Sequence, residues 1–131
     1  MKTALMGLTL ALMLPVSAQA AWHAIMVSGD DSIRNFDNSR DALGELFAAK
    51  GLAAENQHHL NSQFSLEAKP PADQATLQAL ALSFTQLNIR PEQDACLFYV
   101  SSHGKQGDGV YMKRVHDGQL TPAQLNTALN W

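Results

Sequence analysis

A mixed α/β fold with a mostly parallel sheet is what this sequence predicts, and three observations carry the prediction. Two continuous apolar runs, Trp22 to Val27 and Ala95 to Val100, lack the polar alternation of a strand with one wet face. Between them Leu77, Leu80, Ala81, Phe84 and Leu87 recur at helical spacing. Both runs end in small polar residues, Ser28-Gly29-Asp30-Asp31 and Ser101-Ser102-His103-Gly104, and the carboxyl ends of strands are where open α/β sheets gather their chemistry.

The first twenty residues are expected to lie outside the fold. Lys2 gives a positive start, Ala4 to Leu14 is almost wholly apolar, and Ala18-Gln19-Ala20 puts small residues where a signal peptidase reads, so a cut after Ala20 and a periplasmic or secreted product are expected. The apolar stretch is too short for a membrane span, and the absence of a cysteine at the cut excludes a lipoprotein anchor. Removing the first 20 of 131 residues leaves 111, enough for one small domain, 21–131. It also removes Lys2, taking the formal charge from -3 to -4. With that balance and no basic cluster, the chain is not expected to bind nucleic acid. The single cysteine excludes an intramolecular disulfide framework.

After the first strand, Asn38 or Ser39 reads as the cap of a helix carrying Leu43, Leu46 and Phe47, with Gly51 as its stop. Ala54 to Leu60 is polar through Asn56, Gln57, His58 and His59, so it is expected at most as an edge strand. Asn61 to Asp73, with Lys69-Pro70-Pro71, reads as an exposed connection. The helix of Leu77 to Leu87 follows, ended before Pro91, and delivers the chain to the run Ala95 to Val100. Covered on both faces, that run is expected to be the central strand, and Cys96 within it a buried core thiol. Lys105 to Gly109 reads as a loop, Val110-Tyr111-Met112 as a short extended piece and Asp117-Gly118 as a turn. Thr121-Pro122-Ala123-Gln124 carries the signature of a capping box opening a helix with Leu125 and Leu129 on its apolar side. The sequence stops at Trp131 inside what reads as a crossover, so a further strand is expected beyond it.

His103 at the rim of the crevice has the chemistry of a general base or acid, and Gly104 beside it lets a substrate carbonyl approach the backbone, whose N–H can donate to an oxyanion. A histidine satisfied within a turn is the alternative. His58-His59 with His23 or His116 offers no i, i+4 pair, so no metal is expected. No phosphate-binding glycine signature occurs.

In order and spacing these motifs resemble the legumain-type cysteine peptidases of the caspase-haemoglobinase fold, over Trp22 to Trp131. Three segments carry the resemblance: the first strand with Ser28-Gly29 and Asn35-Phe36, the block Pro91 to Gly104 ending in Ser-His-Gly, and Gly109-Val110-Tyr111 with Leu120-Thr121 and its helix. It implies a three-layer caspase-like fold, incomplete at the carboxyl terminus, and a cysteine-type endopeptidase needing no cofactor. It also implies that His103 is the general base, that Gly104 N–H contributes to the oxyanion hole, and that the nucleophilic cysteine ends the next strand. Cys96 is no substitute. Seven residues of extended chain separate it from His103 by about 20 Å, against the roughly 3 Å that proton transfer needs. Ser102 points to the opposite side of an extended chain from His103. A gap-free match sets Asp31 where legumains carry the asparagine supporting the histidine. It sets Asp37 where they carry an arginine in the substrate pocket, which removes the ground for asparaginyl specificity. Asp30, Asp31 and Asp37 also read as a solvated loop. The expected partner is a peptide or protein substrate; the competing expectation is a non-catalytic exported protein that retains part of the peptidase fold.

Overall fold

A computed structural model describes residues 20–63, 74–105, 107 and 109–130. All but the last residue of the expected leader, 1–19, and most of the proline-bearing connection, 64–73, lie outside the described residues. The central strand is β1, Trp22–Ser28, whose residues Ala24 to Val27 are at most 1% exposed. It pairs in parallel with β2, Gln57–Leu60, on one side and with β3, Ala95–Ser101, on the other. Helix α1, Asn35–Ala49, links β1 to β2, and α2, Leu77–Gln86, carries the chain back past β1 to β3.

Parallel crossovers are right-handed, so a chain that moves one way to β2 and the other way to β3 sets its two helices on opposite faces. The alternation along β1 agrees with this. Ile25 and Val27 share a core with Leu60 and with Ala79, Leu80 and Ala81 of α2. Ala24 lies on the other face beside Phe47 of α1. The predicted α/β class and parallel sheet are therefore present, with an order of strands that the sequence did not foretell.

Two expectations are corrected by that order. The strand of Ala95 to Val100 is an edge strand, and only half-buried, because nothing pairs with its far side among the described residues. Cys96, expected in the core, is exposed for the same reason. A run of apolar residues reports that a strand packs well; it does not report how many neighbours the strand has.

The start of α1 is corrected as well. The helix begins at Asn35, capped by Arg34 without a side-chain hydrogen bond. Asn38 and Ser39 fall inside it, and Ser39 Oγ donates back to Asn35 O at 2.7 Å, the usual outlet for a mid-helix serine. Asp37 in the first turn suits the positive end of the helix. Gly51 ends α1 with φ of 93°, a conformation that a β-carbon would strain. Helix α2 is capped by Thr76, whose hydroxyl accepts from Ala79 N at 3.0 Å.

Beyond His103 the chain forms a small antiparallel sheet of β4, Gly104–Lys105, β5, Gly109–Tyr111, and β6, Gln119–Leu120. Met112, Val115 and Leu120 anchor it to the core of α2. Helix α3, Pro122–Leu129, follows and packs on α2. Its predicted capping box is present. Gln124 N donates to Thr121 Oγ1 at 3.2 Å, and Thr121 N donates to Gln124 Oε1 at 2.8 Å. Thr121→Ala is expected to cost about 1 kcal/mol of stability, read as a lower urea midpoint at unchanged m-value.

Candidate functional site

β1 and β3 stay in register to their last residues, Ser28 opposite Ser101, and Gly29 N extends the pairing by donating to Ser101 O at 3.0 Å. Past that point the chains must part. The segment after β1 turns toward α1 and that after β3 toward the small sheet. Such a reversal of strand order opens a crevice at the carboxyl ends. Asp30, Asp31 and Ser32 enter it from the end of β1, His103 and Gly104 from the end of β3, Tyr111 from β5 and Lys113 from just after it, lining a cleft of about 610 Å³.

Close packing beneath the cleft fixes these segments. A β-carbon on Gly29 would stand 2.7 Å from Tyr111 O and 3.0 Å from Ser102 Oγ, so only glycine fits between β3 and β5 there. Ser102 Oγ donates to Tyr111 O at 2.6 Å, Tyr111 N to His103 O at 2.9 Å, and Lys113 N to Gly29 O at 2.8 Å. The hydroxyl of Ser102 is thus spent on structure, and both Ser102 and the backbone of His103 are tied to Tyr111.

The carboxylate that faces the imidazole belongs to Asp30. Its Oδ2 lies 3.4 Å from His103 Nε2, and its side chain is only 6% exposed. Ser32 wraps around it, donating from N to Oδ1 at 3.2 Å and from Oγ to Oδ2 at 2.5 Å. Burial works against the charge of Asp30, but the Ser32 hydrogen bonds, with His103 and Asp31 N–H behind them, hold its carboxyl below the ordinary carboxylate range. Ser32 Oγ is also 3.4 Å from His103 Nε2, and the edge of one ring meets the face of the other where Phe36 packs on His103, centroids 4.8 Å apart. The imidazole is fixed by these contacts while its side chain stays 55% exposed. Space above Gly104 is open, since a β-carbon there would meet nothing within 4 Å.

Because the folded value of Asp30 lies below the unfolded one, its ionised form stabilises the fold above the unfolded pKa of about 3.9, and that contribution disappears as pH falls through the folded value. Asp30→Asn is therefore expected to flatten part of the acid limb of a stability profile below about pH 4. Thermal unfolding across pH 2–6 reads this directly.

The expectation for Asp31 is corrected by one residue. Its carboxylate accepts from Lys113 Nζ on the wall of the cleft, and Asp30 takes the place beside the histidine. Asp37, expected against the substrate, does not line the cleft. It is buried in α1, 3.2 Å from Arg40 Nη1 in an ion pair without hydrogen-bond geometry, and accepts from Gln63 Nε2 at 2.8 Å. Arg40 Nη1 also donates to Leu60 O, so this pair ties α1 to the end of β2. Neither Asp30 nor Asp37 is part of a solvated loop: burial and a specific partner hold each of them.

Sequence reasoning also missed Ser32, Phe36 as the ring partner, and Lys113. The spacing of Asp30 and Ser32, an aspartate two residues before a serine in a turn, was the readable signal for the first. Cys96 stands at the opposite end of β3 from His103, and partial burial of its sulfur pushes the thiol pKa up, away from the thiolate a nucleophile requires. Cys96→Ser is expected to change stability by less than about 0.5 kcal/mol, checked by denaturant unfolding. Among the described residues no three His, Cys, Asp or Glu side chains form a group that could hold a metal ion, and no helix is long and apolar enough to cross a membrane. Comparison of the chain with family models, with curated proteins and with solved structures returned no match.

Proposed function

We propose that this chain is the base-bearing part of a legumain-like cysteine endopeptidase with a caspase-like fold, exported and acting on peptide or protein substrates. The observation that carries the reading is the pairing of an exposed His103 with a buried, ionised Asp30 at the crevice where β1 and β3 diverge, next to an open Gly104. In this reading His103 accepts the proton of a thiol, whose sulfur attacks the scissile carbonyl. Gly104 N–H donates to the oxyanion. The C–N bond then breaks as His103 passes its proton to the departing amine, and water releases the acyl group from sulfur by the reverse sequence. Asp30 and Ser32 act through the histidine, holding its ring in place at the rim of the cleft. The nucleophile comes from a strand outside these 131 residues, ending in cysteine and docked on the open side of β3.

A non-catalytic exported binding protein is the second reading, favoured by one observation: the only cysteine of the sequence stands at the far end of β3. One experiment separates the two. The DNA following codon 131 is sequenced, and the chain is produced with whatever follows it. Hydrolysis of a peptide library is then assayed with and without a thiol alkylator. Alkylator-sensitive cleavage supports the peptidase. An unrelated downstream sequence, or a completed chain that cleaves nothing, supports the binding protein.

A further inference from the structure

At the end of the sheet away from the cleft, the fold holds a buried anion against the nitrogen of one particular residue. Ala21 N donates to Asp94 Oδ1 at 2.9 Å, and Ala21 O accepts from Ala95 N at 2.9 Å, so the junction of β1 with β3 begins at this residue. The Asp94 side chain is 2% exposed. Arg90 donates to it from N and Nε at 2.9 Å each and from Nη2 at 2.7 Å, and these bonds, with that from Ala21, hold the carboxyl far below its ordinary range. His23 Nε2 lies 3.7 Å away, and neither ring nitrogen of this buried histidine has a hydrogen-bond partner. Ala20, by contrast, is exposed.

Ala21 is also the residue that the Ala18-Gln19-Ala20 pattern marks as first after cleavage. The two observations are independent, one a sequence of small residues, the other a contact in the fold. Hydrolysis of the Ala20–Ala21 bond adds water across it, leaving a carboxylate on Ala20 and an amine on Ala21 that is largely protonated at neutral pH. We propose that removal of the leader after Ala20 is a stabilising modification: it turns the Ala21 N–H bond to Asp94 into an ammonium–carboxylate ion pair that fastens the start of β1 to the start of β3. A charged donor makes a bond about twice as strong as a neutral one. The Arg90 side chain is 42% exposed, so water shares its charge and the carboxylate retains attraction for a second cation. The new N–H groups emerge on the side of exposed Ala20, where water satisfies them. This inference does not depend on the peptidase reading.

The test uses the full-length chain exported from bacteria. Terminal sequencing should find Ala21 first, and the mature protein should melt above a full-length variant whose cut is blocked by Ala20→Arg. At pH 7 an amine-selective acylating reagent should label the Ala21 amine about tenfold more slowly in the folded protein than in urea, the ratio that a one-unit rise in amine pKa produces. Asp94→Asn should remove that protection. Should that variant fail to fold, a mature chain begun one residue early, at Ala20, carries the comparison, because its ammonium is displaced from Asp94; it should be labelled as fast folded as unfolded. Another first residue, equal labelling of the native and unfolded Ala21 amine, or protection that persists in the Ala20-begun chain would each overturn the proposal.

Discussion

Under the peptidase reading, with the proposed cysteine-bearing strand present, His103→Ala is expected to lower kcat/KM for peptide hydrolysis by about 10²–10⁴-fold, the range over which a positioned base contributes. The fold should scarcely register the change. The His103 side chain is 55% exposed, and its backbone contacts, Tyr111 N to His103 O among them, are kept by alanine. What is lost is the edge-to-face contact with Phe36 and the pairing with Asp30, which leaves a buried carboxylate still satisfied by Ser32. The expected signature is therefore a collapse of activity with thermal stability nearly intact, measured as initial rates beside a melting curve. If His103→Ala retained the parent rate, the histidine would have no part in proton transfer and the peptidase reading would fail.

Gly29→Ala is expected to act in the opposite way, through structure first. Its new β-carbon would press on Tyr111 O, a backbone atom with little freedom to retreat because Tyr111 is paired in β5 and receives the Ser102 hydroxyl. Overpacking of this kind costs about 1–3 kcal/mol, to be seen as a lower denaturant midpoint. Any movement of Tyr111 is passed to His103 through the bond between their backbones. A misplacement of about 1 Å at a catalytic group is worth about 10²-fold in rate, so under the peptidase reading Gly29→Ala should lower activity as well as stability. Loss of both distinguishes this glycine from His103. Wild-type stability in Gly29→Ala would mean that β5 does not press on β1 as described.

Both predictions depend on features that differ in how far they could be read from the sequence. Strands β1 and β3 and helices α2 and α3 were legible because each announces itself locally, by an unbroken apolar run, a helical period or a capping box. The order β2-β1-β3 was not. Which strand stands in the middle is decided by pairing between residues far apart in the chain, and composition is nearly the same for a strand with one neighbour or two. That single omission misplaced Cys96. The site divides along the same line. His103 and Gly104 were legible from their place after an apolar run. The choice between Asp30 and Asp31 was not, since both are aspartates in one turn, and the turn is settled by Ser32 on one side and by Lys113, 82 residues away, on the other. Asp37 misled because a match by position assigns a role without asking whether the residue reaches the crevice.

The pairing of β1 with β3 also sets when the cleft can exist. Trp22 and Ala95 are register partners although 73 residues separate them in sequence. Closing so long a loop comes before any contact that rewards it, and parallel pairing of this kind is slow to form. Helices α1 and α2 can gather locally while Asp30 and His103 are still apart. The imidazole and its carboxylate therefore meet only once the last strand of the parallel sheet has docked, so that a newly made chain is folded in most of its parts before it holds this pair.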